Sequence, residues 1–192
     1  MKISMVVFTL LILAVNPAPA QDSLQESSSE IIHTDHPTLK SWLRIGIGAT
    51  KHRIFLGGNL FFRVAGPVAV GMRAGAAFEI DLFAHPTENL WEITPAVSYT
   101  PLAGSAGMIS GMAGLGLTGG FRRGEFLERH AILVEEYEKI TFRTFSAALE
   151  IQAAVFIPGA KGLALAASMF TNLNKEQSYS GYYFGVLFGE KR

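Results

Sequence analysis

The stretch Val68–Leu82, VAVGMRAGAAFEIDL, constrains the fold more than any other part of the chain. Taken in twos, one set is Val68, Val70, Met72, Ala74, Ala76, Phe78, Ile80 and Leu82, with no polar member. The other set, Ala69, Gly71, Arg73, Gly75, Ala77, Glu79 and Asp81, holds every charge in the stretch. Successive side chains of a strand point to opposite faces, so the pattern is one long strand between two different media. A helix would spread Arg73, Glu79 and Asp81 around its circumference. At fifteen residues the stretch far exceeds the usual strand of about 5–6 residues. It is long enough to cross a bilayer, which takes roughly 9–11 tilted residues.

The alternation recurs along the chain. Leu43, Ile45, Ile47 and Ala49 oppose Trp42, Arg44, Gly46, Gly48 and Thr50; Ile54, Leu56, Leu60, Phe62 and Val64 oppose Phe55, Gly57, Asn59, Phe61 and Arg63. Trp91, Ile93, Pro95, Val97 and Tyr99 alternate with Glu92, Thr94, Ala96, Ser98 and Thr100. Further alternating runs cover 109–122, 140–157, 163–172 and 179–188, which makes eight strands in all. Pro95 has no N–H for a ladder, which predicts an edge position or a bulge. The connections sort by parity. Links two, four and six (AGP, PLAGSAG, PGAKG) are small and rich in Gly and Pro, whereas the odd links carry His52, His85, His130 and most of the loop charge. Residues 123–139, the longest link, fit either a short helix or an extended hairpin tip. Short links between successive strands predict an antiparallel, up-and-down sheet. The expected fold is therefore all-β, an eight-stranded antiparallel up-and-down transmembrane β-barrel, with short periplasmic turns and longer outer loops.

Alternation alone does not say which face is inside, since a lipocalin-type barrel turns its apolar set inward. The polar set here is Arg44, Arg63, Arg73, Glu79, Asp81, Glu92, Glu150 and Gln152, diluted with Gly and Ala. A water-facing surface would favour Lys and Thr. Both charge signs among small residues suit a crowded lumen in which Arg and Glu pair, because an unpartnered buried charge costs several kcal/mol. The apolar set is unbroken and carries Phe62, Trp91, Tyr99, Phe121, Phe145 and Tyr182, expected as lipid-interface girdles.

Composition agrees. The chain is 49% hydrophobic, with 20 glycines and no cysteine. There is then no disulfide, no thiolate metal site and no acceptor for an N-terminal lipid anchor. Residues 1–20 read as a signal peptide: Lys2, the apolar Met5–Val15, and Ala18-Pro19-Ala20 as cleavage site. Removing that leader takes Lys2 from the 16 basic residues, leaving 15 against 16 acidic ones, which is no footprint for nucleic acid. Residues 21–40, polar and Ser/Glu-rich, read as a flexible periplasmic lead-in, 41–188 as the barrel and 189–192 as a tail. His33 and His36 in that lead-in read as solvated rather than as metal ligands.

The leader, the eight alternating strands, the short turns on one side and the aromatic closing strand resemble the small Gram-negative outer membrane barrels, the OmpA/OmpX/OmpW-like group. The resemblance covers roughly Ser41 to Phe188. It implies an outer membrane location, contact with bilayer and lipopolysaccharide, and recognition by the barrel assembly machinery. Members commonly end in an aromatic residue; here Phe188 is followed by four more residues, so that signal would be internal. The group includes adhesins, anchors, small pores and a few lipid-modifying enzymes.

An enzyme needs a nucleophile and base in reach. The candidates are His85 or His130 with Ser98, Ser110, Glu135 or Glu136, but no H-x-S sequence of the deacylase kind is present. Gly114–Gly119 lacks the Lys and following helix of a phosphate loop. No catalytic, metal or cofactor site is therefore expected. A structural or surface-interaction barrel, monomeric and with an unspecified surface partner, is the leading expectation; a narrow pore or small-ligand carrier is second and an outer-leaflet enzyme third.

Overall fold

The computed structural model describes residues 39–81, 83–129 and 135–191. The signal-peptide and most of the lead-in expectations, with His33, His36 and His130, lie outside them. The described residues form nine strands. These are β1 (Leu39–Thr50), β2 (Arg53–Ala65), β3 (Val68–Glu79), β4 (Ala84–His85), β5 (Asn89–Ala103), β6 (Gly107–Arg129), β7 (Glu135–Phe156), β8 (Leu163–Asn174) and β9 (Tyr179–Lys191). All but β4 form one antiparallel ring, each strand beside the next, with β9 on β1 and β8 on β7. The result is a closed eight-stranded barrel, with β4 a two-residue parallel addition to the edge of β7.

The period-2 pattern decides the faces. Trp42, Arg44, Phe55, Asn59, Phe61, Arg73, Glu92, Glu150, Asn172 and Tyr183 are buried in the interior, whereas their immediate neighbours Leu43, Ile45, Leu60, Phe62, Met72, Ile93, Ile151 and Tyr182 are exposed. This inverts a soluble barrel: the apolar set covers the outside, up to Leu115 at 76% and Phe145 at 84% exposure. Such a continuous apolar wall is stable against lipid and not against water. One end is closed by tight turns; at the first, Gly66 takes φ 47°, a left-handed conformation that suits glycine. The other end carries the longer links. Inside, Gly57 and Gly75 make room for the Phe55 ring, whose atoms lie 2.3 and 2.5 Å from where their Cβ atoms would be.

Several boundaries differ from the sequence expectation. Strand β1 begins at Leu39, two residues before Ser41, and Leu39 pairs with Lys191, so Gly189 and Glu190 continue β9 instead of forming a tail. Residues 123–139 form no helix among the described ones; β6 and β7 run on as a hairpin in which Phe126 and Tyr137 pair edge to face at 5.5 Å. A cross-strand aromatic pair of this kind outweighs the helical spacing. Pro95 lies in β5 between β3 and β6, neither at an edge nor at a bulge. The β5–β6 register passes from Ile93↔Leu117 to Ala96↔Gly114 with no pair at Pro95, so the missing donor falls on that side. The strand survives because the ladder to β3 is unbroken there.

Candidate functional site

The interior of the barrel concentrates the chain's chemistry. Four strands each deliver one charged side chain: Arg44 from β1, Arg73 from β3, Glu92 from β5 and Glu150 from β7. Glu150 pairs with Arg44 and, at 3.0 Å, with Arg73 Nε; Arg73 Nη1 lies 2.5 Å from Glu92 Oε1. Arg73 holds both carboxylates by charge more than by aligned hydrogen bonds. Neutral donors complete the set: Tyr183 OH donates to Glu150 at 3.0 Å, while Tyr179 OH and Asn172 Nδ2 each donate to Glu92 Oε2 at 2.6 Å. Thr118 and Ser146 extend this chain, and Arg44 also donates to Ser168. The guanidiniums stack on rings, Arg44 4.1 Å from the Tyr183 centroid and Arg73 4.5 Å from that of Phe170. Two positive and two negative charges cancel, as buried ions require.

Towards the tight-turn end the interior is apolar, with Trp42, Phe61, Met108, Met112 and Phe156 packed together. The space among Trp42, Asn59, Ser110, Glu150 and Gln152 has no room for a water molecule. At that level the described side chains close the lumen.

At the loop end a second ion cluster spans the mouth. Arg123 pairs with Glu79, and Arg53 pairs with Glu88. Glu88 N–H donates to Glu79 Oε2 at 3.0 Å, and Arg123 N–H donates to Glu88 Oε1 at 3.0 Å. Burial alone would push the Glu88 carboxyl up, but the Arg123 N–H and the Arg53 guanidinium outweigh it and hold it below its ordinary value. A carboxylate so lowered binds fewer protons folded than unfolded. Its stabilisation is complete above the ordinary carboxylate range and is lost as pH falls through the lowered value. Acidification through that window is expected to speed hydrogen exchange at the Arg123 amide, and Glu88→Gln should abolish that pH dependence.

The residues singled out from the sequence divide between these places. Arg44, Arg73, Glu92 and Glu150 meet in the lumen, and Gln152 lies buried below them without a partner for its Nε2. Glu79 belongs to the mouth instead. Arg63 reaches the Leu39 and Gly66 carbonyls at the tight-turn end. Asp81 lies beyond the end of β3, exposed, accepting the Phe83 N–H at 3.0 Å; the chain leaves the barrel after Glu79, so Asp81 is no lumen residue. The aromatics Phe62, Trp91, Tyr99, Phe121, Phe145 and Tyr182 all lie on outward positions of their strands. Of the catalytic candidates, His85 is exposed on β4 in register with Glu136 of β7, with Glu135 one step before it, while Ser98 and Ser110 are buried in the tight-turn half, so neither serine reaches that pair. Among the described residues no group of three His, Cys, Asp or Glu side chains could hold a metal. Sequence reasoning missed Tyr179, Tyr183 and Asn172, whose only signal was a polar atom on the inward parity of β8 and β9.

A closed ring of eight antiparallel strands, apolar outside and charge-neutral inside, defines a small transmembrane β-barrel. No family model matches the sequence, and no curated protein matches it. Among solved structures the chain is similar to the N-terminal β-barrel domain of OprF from Pseudomonas aeruginosa, at 14% identity and TM-score 0.55, over 79% of this chain and 98% of that one. It is also similar to Ail, the attachment invasion locus protein of Yersinia pestis, at 9% identity and TM-score 0.52, over 78% and 97%. Neisserial surface protein A matches at 11% identity and TM-score 0.50, over 78% and 94%. The chain thus has the fold of the small outer membrane β-barrels.

Proposed function

We propose that the chain is an integral outer membrane protein with a structural or surface-interaction role, and that its lumen is a plug and not a passage. The observation that carries this is the continuous Arg44–Glu150–Arg73–Glu92 chain of ion pairs across the interior. Ions crossing it would have to separate charges held in a medium of low polarity. The loop end, with the long β6–β7 hairpin, faces outward, and the tight turns face the periplasm. The wall contacts lipid and lipopolysaccharide, Phe62 and Tyr99 marking one interface and Trp91 and Phe121 the other. Assembly machinery reads β9, and the barrel works as a monomer. Catalysis has less support, because the histidine and serines available stand at different ends.

The purified chain in planar bilayers is expected to give no unitary conductance steps. Steady steps from the wild-type protein would contradict the plug and favour a narrow pore.

A further inference from the structure

We propose that the open backbone edge of β7, beyond the end of β8, is a docking site for an extended strand of a partner protein that alternates acidic with apolar residues. The site deepens the surface-interaction reading and rests on it. Strands β6 and β7 run on past their neighbours. β8 meets β7 only as far as Asn174↔Ser146, whereas the ladder to β6 continues to Arg129↔Glu135. Phe156 N–H donates to Ala106 O at 2.8 Å, on the β6 side. In an antiparallel pair successive residues alternate, so even-numbered residues of β7 turn their backbone groups to β6 and odd-numbered ones turn them the other way. Lys139, Thr141 and Arg143 are odd-numbered and lie loopward of β8. Among the described residues no backbone group bonds their N–H and C=O on that side.

The molecule shows that this edge accepts a strand. At the tip β4 already adds to it: Glu135 N–H donates to Phe83 O at 3.0 Å, and His85 stands in register with Glu136. Pro86 follows and has no N–H with which to continue the addition. At the other end Asn174 stops β8, because its side chain accepts the Glu176 and Gln177 N–H groups and turns the chain back. Between the two, β7 carries none of the bulges that interrupt β6 around Phe126. A straight, uncovered edge is a template for β-addition.

The side chains select the strand. Lys139, Thr141 and Arg143 are exposed on the outer face, and neither cation has a carboxylate partner among the described residues. Ile140 and Phe142 are half-buried on the inner face. An added strand sets its own alternating side chains opposite these two sets. Acids two steps either side of a residue facing Thr141 then meet the cations, and the apolar residues between them meet Ile140 and Phe142. A second copy of this chain fits poorly. Pairing antiparallel about Thr141 would set each Lys139 against the other copy's Arg143, and like charges directly opposite are destabilising.

The test places the full chain in phosphatidylcholine nanodiscs with a short capped peptide in which Glu alternates with Val, or with the same peptide carrying Lys for Glu. Fluorescence anisotropy reads binding and hydrogen exchange reads the amides. The Glu peptide is expected to bind and to slow exchange at Lys139, Thr141 and Arg143, while Ile140 and Phe142, already bonded to β6, stay unchanged. The Lys peptide should bind roughly tenfold more weakly, and Lys139→Glu with Arg143→Glu should reverse that preference. Thr141→Pro removes an edge N–H without touching the β6 ladder, so it should abolish binding while the barrel stays inserted. Glu-peptide binding that survives Thr141→Pro, or protection elsewhere than at this edge, would overturn the site. An inserted barrel that binds neither peptide would overturn it too and leave the membrane reading standing. So would a dimer protected at the same amides, which would give the edge to a second copy. Failure to insert would overturn the membrane reading and the site with it.

Discussion

Glu150→Leu is expected to cost about 3–5 kcal/mol of folding free energy, the scale of breaking a buried ion pair by removing one partner. Glu150 is the shared partner of Arg44 and Arg73, which are 1% and 0% exposed, and it also accepts from Tyr183. Without it Glu92 alone faces two guanidiniums, so a net positive charge is left inside the barrel. Glu150→Gln keeps the volume and an acceptor for Tyr183 and should cost less. Replacing all four charged residues with apolar side chains of similar size should recover most of the loss, because no ion then remains unpaired. Urea titrations of the barrel in bilayers would measure the series, and a loss below about 1 kcal/mol for Glu150→Leu would contradict a tightly coupled interior.

The second large effect concerns the opposite face. Leu115→Arg, near the middle of the wall, should cost about 2–4 kcal/mol, since a charge there loses its water. Leu115 is 76% exposed and has no interior role, so nothing but the surrounding medium can impose that penalty. The same change at Phe62 or Tyr99, near strand ends, should cost only about 0–1 kcal/mol. Gly75→Arg fails differently: its side chain would meet the Phe55 ring and Glu92 in the lumen. Equilibrium folding titrations into bilayers would separate these cases.

Face was legible in the sequence throughout the barrel, because the side-chain period of a strand is 2 and one medium tolerates no polar atom. Every strand's inward and outward sets follow from that rule, including Phe55 and Phe61 among the inward residues. Height within the barrel was not legible. Asn172 meets Glu92 across 80 positions of sequence, and Arg123 meets Glu79 across 44, through the stagger of strands that alternation does not encode. Asp81 shows the same limit, for its parity is right but the strand ends two residues earlier. The β6–β7 hairpin tip was ambiguous because Phe126 and Tyr137 satisfy a helical spacing as well as a cross-strand pair.

The central claim is that the apolar set of each strand faces lipid. The chain has no cysteine, so single cysteines can carry nitroxide labels without background. Labels along β5, in liposomes, should alternate. Positions 93, 97 and 99 should collide with oxygen dissolved in the bilayer and be shielded from a water-soluble nickel reagent, while 94, 96 and 98 should be reached by neither. Nickel contact at positions 93 and 97 would place the apolar wall in water and contradict the account.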